Sequence, residues 1–304
     1  MKLKDFLIDN SMFIDDYICL YKFETYFKKL NQRQKFKFVD LNNDFNFKNI
    51  ENEVEIIISL NPDCDFPPPK KEMTFPQKSL DTDEGKEWQK KLDKMDYYSK
   101  LQLDILDKIP KNIKKIYCHS VGYNITGVNM IPIGRDFKNQ NLFNITNKYS
   151  RTNKSILCYY NCLLPPNLTH WYGLIRKDIY KICKTNLFIH THNCMEIRSF
   201  NDNDKKLYLK RLSQSKFMIC PRGCGIDTYR MWDCIFMGCI PIVEKYDGYT
   251  QFEDLPILFI NNWGDIGTLT QNFLENKWNE MLNSDYNYHK LTMNYWVKNI
   301  ETLN

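Results

Sequence analysis

Apolar positions along the chain switch repeatedly between a period near two and a period near 3.6, and this alternation predicts an α/β protein. Val54-Glu55-Ile56-Ile57-Ile58-Ser59-Leu60 is nearly all apolar and β-branched, the pattern of a central parallel strand buried on both faces. Comparable runs predict strands at Asp16–Phe23, Lys35–Leu41, Ile113–His119, Ser155–Tyr160, Leu187–His192, Phe217–Cys220, Ile240–Val243 and Ile257–Ile260. Helical spacing predicts helices at Glu24–Arg33, Glu84–Ile109, Tyr172–Lys184, Asp204–Ser213, Leu269–Leu282 and His289–Ile300. Met130-Ile131-Pro132-Ile133-Gly134-Arg135 reads as a short strand ending in a Gly turn. Pro67-Pro68-Pro69 cannot sit in a helix or a central strand, so 66–83 reads as a surface loop. The polar, Asn-rich stretch 136–154 marks a boundary. Two units follow, 1–150 and 151–304, each large enough for its own core.

The densest pattern is Ser213 to Val243. It reads as strand, Gly-containing turn, helix, Gly, strand. Pro221-Arg222-Gly223-Cys224-Gly225 breaks the first strand, and Asp227 or Thr228 can cap the helix. Gly238 stands where that helix would end. At about 100° per residue, Met231, Trp232, Ile235 and Phe236 share one face, and Arg230 and Asp233 lie together on the other. One reading of Arg230 and Asp233 is a solvated face with an i,i+3 ion pair. The other is a ligand site. A helix start after a Gly turn offers N–H groups to an anion, Arg222 and Arg230 add guanidinium forks, and Asp233 can accept from ribose hydroxyls.

The string Phe217, Cys220-Pro221-Arg222-Gly223, Tyr229-Arg230, Asp233, Gly238-Cys239-Ile240-Pro241-Ile242 resembles the donor-binding half of exostosin-like glycosyltransferases, family 47 and its relatives. The resemblance covers roughly 154–263. These enzymes usually carry Glu-Ala-Leu where this chain has Asp233-Cys234-Ile235. The resemblance implies a GT-B fold, two Rossmann-like domains with mainly parallel sheets across a cleft. In such enzymes the last helix, here about 286–304, often crosses back to the first domain. It further implies inverting transfer without an essential metal or other cofactor. The partners would be a nucleotide-sugar donor, with a uridine diphosphate sugar favoured, and a glycan, glycoprotein or glycolipid acceptor. The implied donor-binding set is Arg222, Gly223, Gly225, Asp227, Thr228, Tyr229, Arg230 and Asp233, with Glu244 at a strand end reaching a sugar hydroxyl. Arg176 falls inside a predicted helix and is left out of the set. The layout also resembles α1,3-fucosyltransferases, which use a guanosine diphosphate sugar, although those carry Glu-Asn-Ser and Thr-Glu-Lys at the corresponding points. A nucleotide-sugar-binding protein without catalysis is the alternative of another class.

For the acceptor side, three residues sit beyond predicted carboxyl strand ends, where ligands bind in open α/β sheets. His119 titrates near neutrality and suits a general base. Asp63 and Asp65 follow the strongest strand of the first half. The plainer readings are an inert, hydrogen-bonded His and a turn rich in turn formers. His190-x-His192 and the paired Cys spacings (Cys158/Cys162, Cys220/Cys224) are metal-like only in isolation, and no metal site is assigned. The formal charge of +5 is spread along the chain, which suits a small anionic ligand better than nucleic acid. No run approaches the roughly 18 apolar residues of a membrane span. The N-terminus interrupts its apolar residues with acids, unlike a signal peptide, and eleven Cys read as reduced thiols, so a cytoplasmic protein is expected.

Overall fold

In this computed structural model the described residues are 1–10, 16–30, 35–38, 50–59, 109–122, 126–135, 149, 151–162, 171–191, 202–223 and 225–302. Asp63, Asp65, the loop 66–83, His192, Cys224 and nearly all of the helix expected at 84–109 lie outside them.

Helices α1 (Leu3–Ile8) and α2 (Leu20–Leu30) precede a sheet of four parallel strands: β1 (Phe36–Phe38), β2 (Ile56–Ser59), β3 (Lys115–Cys118) and β4 (Val128–Met130), in that spatial order. β2 is buried at every position, as its unbroken apolar run requires. The strand expected at Asp16–Phe23 does not form. Tyr17 and Cys19 make only single bridges, to Thr292 and to Gly134 and Arg135, and the chain turns helical at Leu20. The reason is the i,i+4 pair Phe23 and Phe27, whose rings stack at 5.6 Å on the buried side of α2.

The second sheet has five parallel strands: β5 (Ile156–Tyr160), β6 (Ile189–Thr191), β7 (Ser215–Ile219), β8 (Ile240–Glu244) and β9 (Leu258–Ile260), in the spatial order β6-β5-β7-β8-β9. Three helices connect its first four strands: α3 (Trp171–Thr185), α4 (Asp202–Gln214) and α5 (Tyr229–Phe236). Two helices close the chain, α6 (Gln271–Asn283) and α7 (Met293–Glu301). Both sheets are parallel and Rossmann-like, as the pattern predicted. No helix among the described residues is long and apolar enough to cross a membrane.

The two ends of the chain cross between the sheets' surroundings. Phe6 of α1 stacks on Tyr288 at 4.1 Å, and the Met1 ammonium donates to the Tyr286 carbonyl. Tyr117 of β3 donates from its hydroxyl to the Asn299 carbonyl of α7. The segment 131–135, beyond β4, runs to α5 as a strap. Gly134 in this strap has φ 70°, and an added Cβ would lie 2.5 Å from the Ile18 carbonyl oxygen. Only glycine satisfies both constraints. Replacing Gly134 with Ala is expected to lower stability by about 2 kcal/mol or more, read from urea unfolding. A variant as stable as wild type would mean that the strap can be rebuilt without this approach.

Candidate functional site

The spatial order of the second sheet places its topological switch between β5 and β7. In open parallel sheets a crevice forms there at the carboxyl ends of the strands. At this point β5 ends in Tyr160-Asn161, and β7 ends in the turn Cys220-Pro221-Arg222-Gly223. The sequence-derived donor turn therefore sits at the position that topology selects for a ligand.

Three arginines gather where β5 and β7 end, one in the turn, one against it and one on the β5 end. Arg222 is buried, with its guanidinium carbon 5.7 Å from the Tyr246 ring centroid. Arg230, on the first turn of α5, donates from Nε to the Asn161 carbonyl at 2.9 Å. Arg176 reaches across from α3, and its Nε donates to the Arg222 carbonyl at 3.0 Å. The Arg176 Nη2 lies 3.2 Å from where a Cβ on Gly223 would stand, so the glycine admits the guanidinium. Sequence reasoning excluded Arg176 because it lies inside a helix. The signal available was its position on the apolar side of α3, one turn from buried Ile179. An arginine on that side has to end at the sheet.

Glu244, at the carboxyl end of β8, accepts from the Tyr246 hydroxyl. Burial raises its pKa above the ordinary carboxylate value, against the opposing pull of the Tyr246 bond and the Arg222 charge. Gly223 donates its N–H to the Gly225 carbonyl at 3.0 Å, closing the turn on itself. Thr228 occupies the N-cap position of α5 without a side-chain cap bond, and Tyr229 begins the helix.

Two of the acids assigned to the donor are placed elsewhere. Asp227 is 4% exposed and is engaged by protein donors. Its Oδ2 accepts from the Ile133 N–H at 2.7 Å, and its Oδ1 from the Trp232 indole at 2.8 Å. Asp233 accepts from Arg135 Nε at 3.1 Å, and both side chains are almost fully enclosed. The face of α5 that could have been solvated is packed instead: every residue from Met231 to Phe236 is buried. Asp227 and Asp233 thus fasten the 131–135 strap to α5, and neither is open to a ribose.

His119 is also internal. It is 1% exposed, its Nδ1–H donates to the Ile131 carbonyl at 2.8 Å, and its ring edge meets Phe23. Its Nε2 has no hydrogen-bond partner among the described residues. Burial lowers its pKa to about 4, so the imidazole is neutral near pH 7. A base for an acceptor hydroxyl must reach that hydroxyl, and this enclosed ring does not. Its neighbour Ser120 is the one described non-glycine residue with positive φ, at 55°. Arg211 donates from Nη1 to His190 Nε2 at 3.1 Å. Among the described residues no three His, Cys, Asp or Glu gather as metal ligands. All eight described Cys are buried and free of disulfides.

The two parallel sheets place the chain in the class of Rossmann-like α/β proteins. A family model described as the RXYLT1 C-terminal domain matches residues 174–301. That is a domain of an exostosin-like xylosyltransferase, and the match supports a glycosyltransferase in this part of the chain. No curated protein matches the chain.

The buried Asp227 carboxylate makes two predictions. Removing the Asp227 side chain by Asp227→Ala strands the Ile133 N–H and the Trp232 indole in the interior, at a cost of about 2–5 kcal/mol in urea unfolding. Burial also raises the Asp227 pKa to about 7, overcoming the donors that favour the anion. A carboxyl whose folded pKa lies above its unfolded value stabilises most when protonated. The Asp227 contribution is therefore largest below about pH 4 and is lost as pH rises towards 7. Asp227→Asn, which does not titrate, is expected to show a flatter stability profile than wild type between pH 4 and pH 7.5. Parallel profiles would contradict this.

Proposed function

We propose that this protein is a glycosyltransferase of GT-B type, in which the second sheet binds a nucleotide-sugar donor and the first sheet supplies the acceptor side. The observation that carries the reading is the gathering of Arg176, Arg222 and Arg230 around a Gly-containing turn at the β5/β7 switch point. Guanidinium forks match phosphate oxygens bidentately, and a half-enclosed crevice strengthens that attraction over water. The xylosyltransferase-like match favours transfer of a pentosyl or related sugar, and the resemblance to exostosin-like enzymes favours a uridine diphosphate donor.

In this reaction an acceptor hydroxyl oxygen attacks the anomeric carbon in line with the departing group. The bond from that carbon to the diphosphate oxygen breaks, and the nucleoside diphosphate leaves with the electron pair. The configuration at the anomeric carbon inverts. Charge grows on the diphosphate as the bond opens, so arginines held at the turn stabilise the transition state more than the bound donor. Arg222 and Arg230 contact the diphosphate. Arg176 is a positioning residue, because it holds the Arg222 carbonyl and packs against Gly223. Glu244, paired with Tyr246, is placed to accept from a donor sugar hydroxyl. The acceptor proton goes to a carboxylate of the Asp63–Asp65 segment beyond β2. The enclosure of His119 supports this preference over the histidine.

A thermal-shift panel of uridine, guanosine, cytidine and adenosine diphosphates and their sugars tests the reading. A ligand that binds only the native state raises the melting temperature with concentration, by about 2.7 kcal/mol of stabilisation at 100 times Kd. One base is expected to stabilise the wild type selectively, with Kd weakened at least tenfold in Arg222→Ala and in Arg230→Ala. Selectivity for guanosine would move the donor to the fucosyltransferase-like alternative. No stabilisation by any nucleotide at millimolar concentration would contradict the donor site.

A further inference from the structure

A groove runs beside β4, the edge strand of the first sheet. Two cavities make it, of 290 Å³ and 230 Å³, and they share Asn129 and Gln251. Each lies near the lower end of the range of about 300–1,000 Å³ that is usual for small-ligand clefts. The first cavity opens at Val121, just past the carboxyl end of β3, and at Asp247 and Thr250. Asp247 directly follows Tyr246, on whose ring Arg222 sits, so this end of the groove adjoins the arginine turn. The second cavity continues to Lys115 at the start of β3 and to Tyr295 and Asn299 on α7. The groove thus begins next to the donor turn and runs the length of the β3–β4 edge away from it.

Its floor is built by close backbone approach. A Cβ on Gly248 would stand 1.9 Å from the Val121 carbonyl oxygen, so the turn at Asp247–Phe252 can seat against β3 only with glycine there. Gln251 donates its amide to the Met130 carbonyl, which fixes the turn on the edge strand.

The lining chemistry is that of a carbohydrate site. Asn129, Gln251 and Asn299 are amides, each offering a donor and an acceptor to paired sugar hydroxyls. Asp247 and Thr250 add acceptors at the end nearest the turn. Tyr295, half-buried and edge-on to Trp296 at 5.2 Å, offers an apolar ring at the far end. A neutral ligand fits better than an anion, because the Lys290 ammonium is held by Asp254 at 2.7 Å and the Lys115 ammonium at one end is matched by the Asp247 carboxylate at the other.

We infer that this groove binds the acceptor as a neutral oligosaccharide of at least two sugar residues. Its reducing or non-reducing end would lie at Asp247 beside the donor turn, and the next sugar between Asn129 and Tyr295. This role as an acceptor site rests on the transferase reading above, whereas binding itself does not.

The test is saturation-transfer difference NMR without nucleotide, using methyl β-xyloside, methyl β-galactoside, xylobiose, lactose and cellotriose as probes. At least one di- or trisaccharide is expected to bind at least tenfold more tightly than the methyl glycosides. Asn129→Ala, which removes one amide, is expected to weaken it about threefold to tenfold. Thr250→Tyr, a substitution at an exposed position that fills the first cavity, is expected to abolish the signal. Neither variant should alter nucleotide-induced stabilisation. No saturation of any probe, equal affinity for short and long probes, or unchanged binding in Thr250→Tyr would overturn the inference. Sugar binding by a wild type that no nucleotide stabilises would leave the groove standing and sink the transferase reading.

Discussion

The structure depends on how one short helix is held. Helix α5 stands between the two sheets, and the strap 131–135 is fastened to it by two enclosed carboxylates. Asp227 takes the Ile133 N–H, and Asp233 takes the Arg135 guanidinium. Neither interaction is an inexpensive one. In the Asp233–Arg135 pair, two buried charges recover their lost hydration only when the geometry is good, and breaking the pair leaves an uncompensated charge at about 3–5 kcal/mol. The far end of α5 is held just as firmly. Asn10 and Arg151 donate to the Phe236 carbonyl, and Lys154 donates to the Met237 carbonyl, all favourable at a helix C-terminus. Burial lowers the Lys154 pKa to about 8, and the nearby Arg151 charge acts in the same direction.

This fastening decides the chemistry of the crevice. Because Asp227 and Asp233 are turned inward, the nearby carboxylate left at the strand ends is Glu244, and Tyr246 holds it. The guanidinium groups of Arg176, Arg222 and Arg230 meanwhile gather near the β5/β7 switch point, with Glu244 within electrostatic reach of Arg222. The turn at Asp247–Phe252 adds a second link. The Tyr249 hydroxyl donates to the Ile226 carbonyl, and Gln251 donates to the Met130 carbonyl, so one element touches both the segment before α5 and the edge strand β4.

Much of this was legible in the sequence. Apolar runs such as Ile56–Ser59 and Ile240–Glu244 identified the parallel strands, since burial on both faces leaves no polar alternation to confuse with another element. Gly238 marked the end of α5, where it has φ 64°. The turn at Arg222 was found because its breaks in pattern are local. What failed was anything that depends on a distant partner. Asp233 looked like a surface acid until Arg135, nearly a hundred positions earlier, proved to be its counter-ion. His119 looked like a base because sequence carries no information on its enclosure. Tyr17 and Cys19 looked like strand residues because single bridges and strands share a pattern over so few positions. Arg176 was missed because a helix hides where a long side chain ends.

The measurement that bears most directly on the central claim is a crystal structure with a bound nucleoside diphosphate. The account predicts the diphosphate at the turn between β5 and β7, within hydrogen-bonding distance of the Arg222 and Arg230 guanidinium groups, with Asp227 and Asp233 still engaged to the strap. A nucleotide bound elsewhere, or one that draws Asp233 away from Arg135 to its ribose, would contradict it.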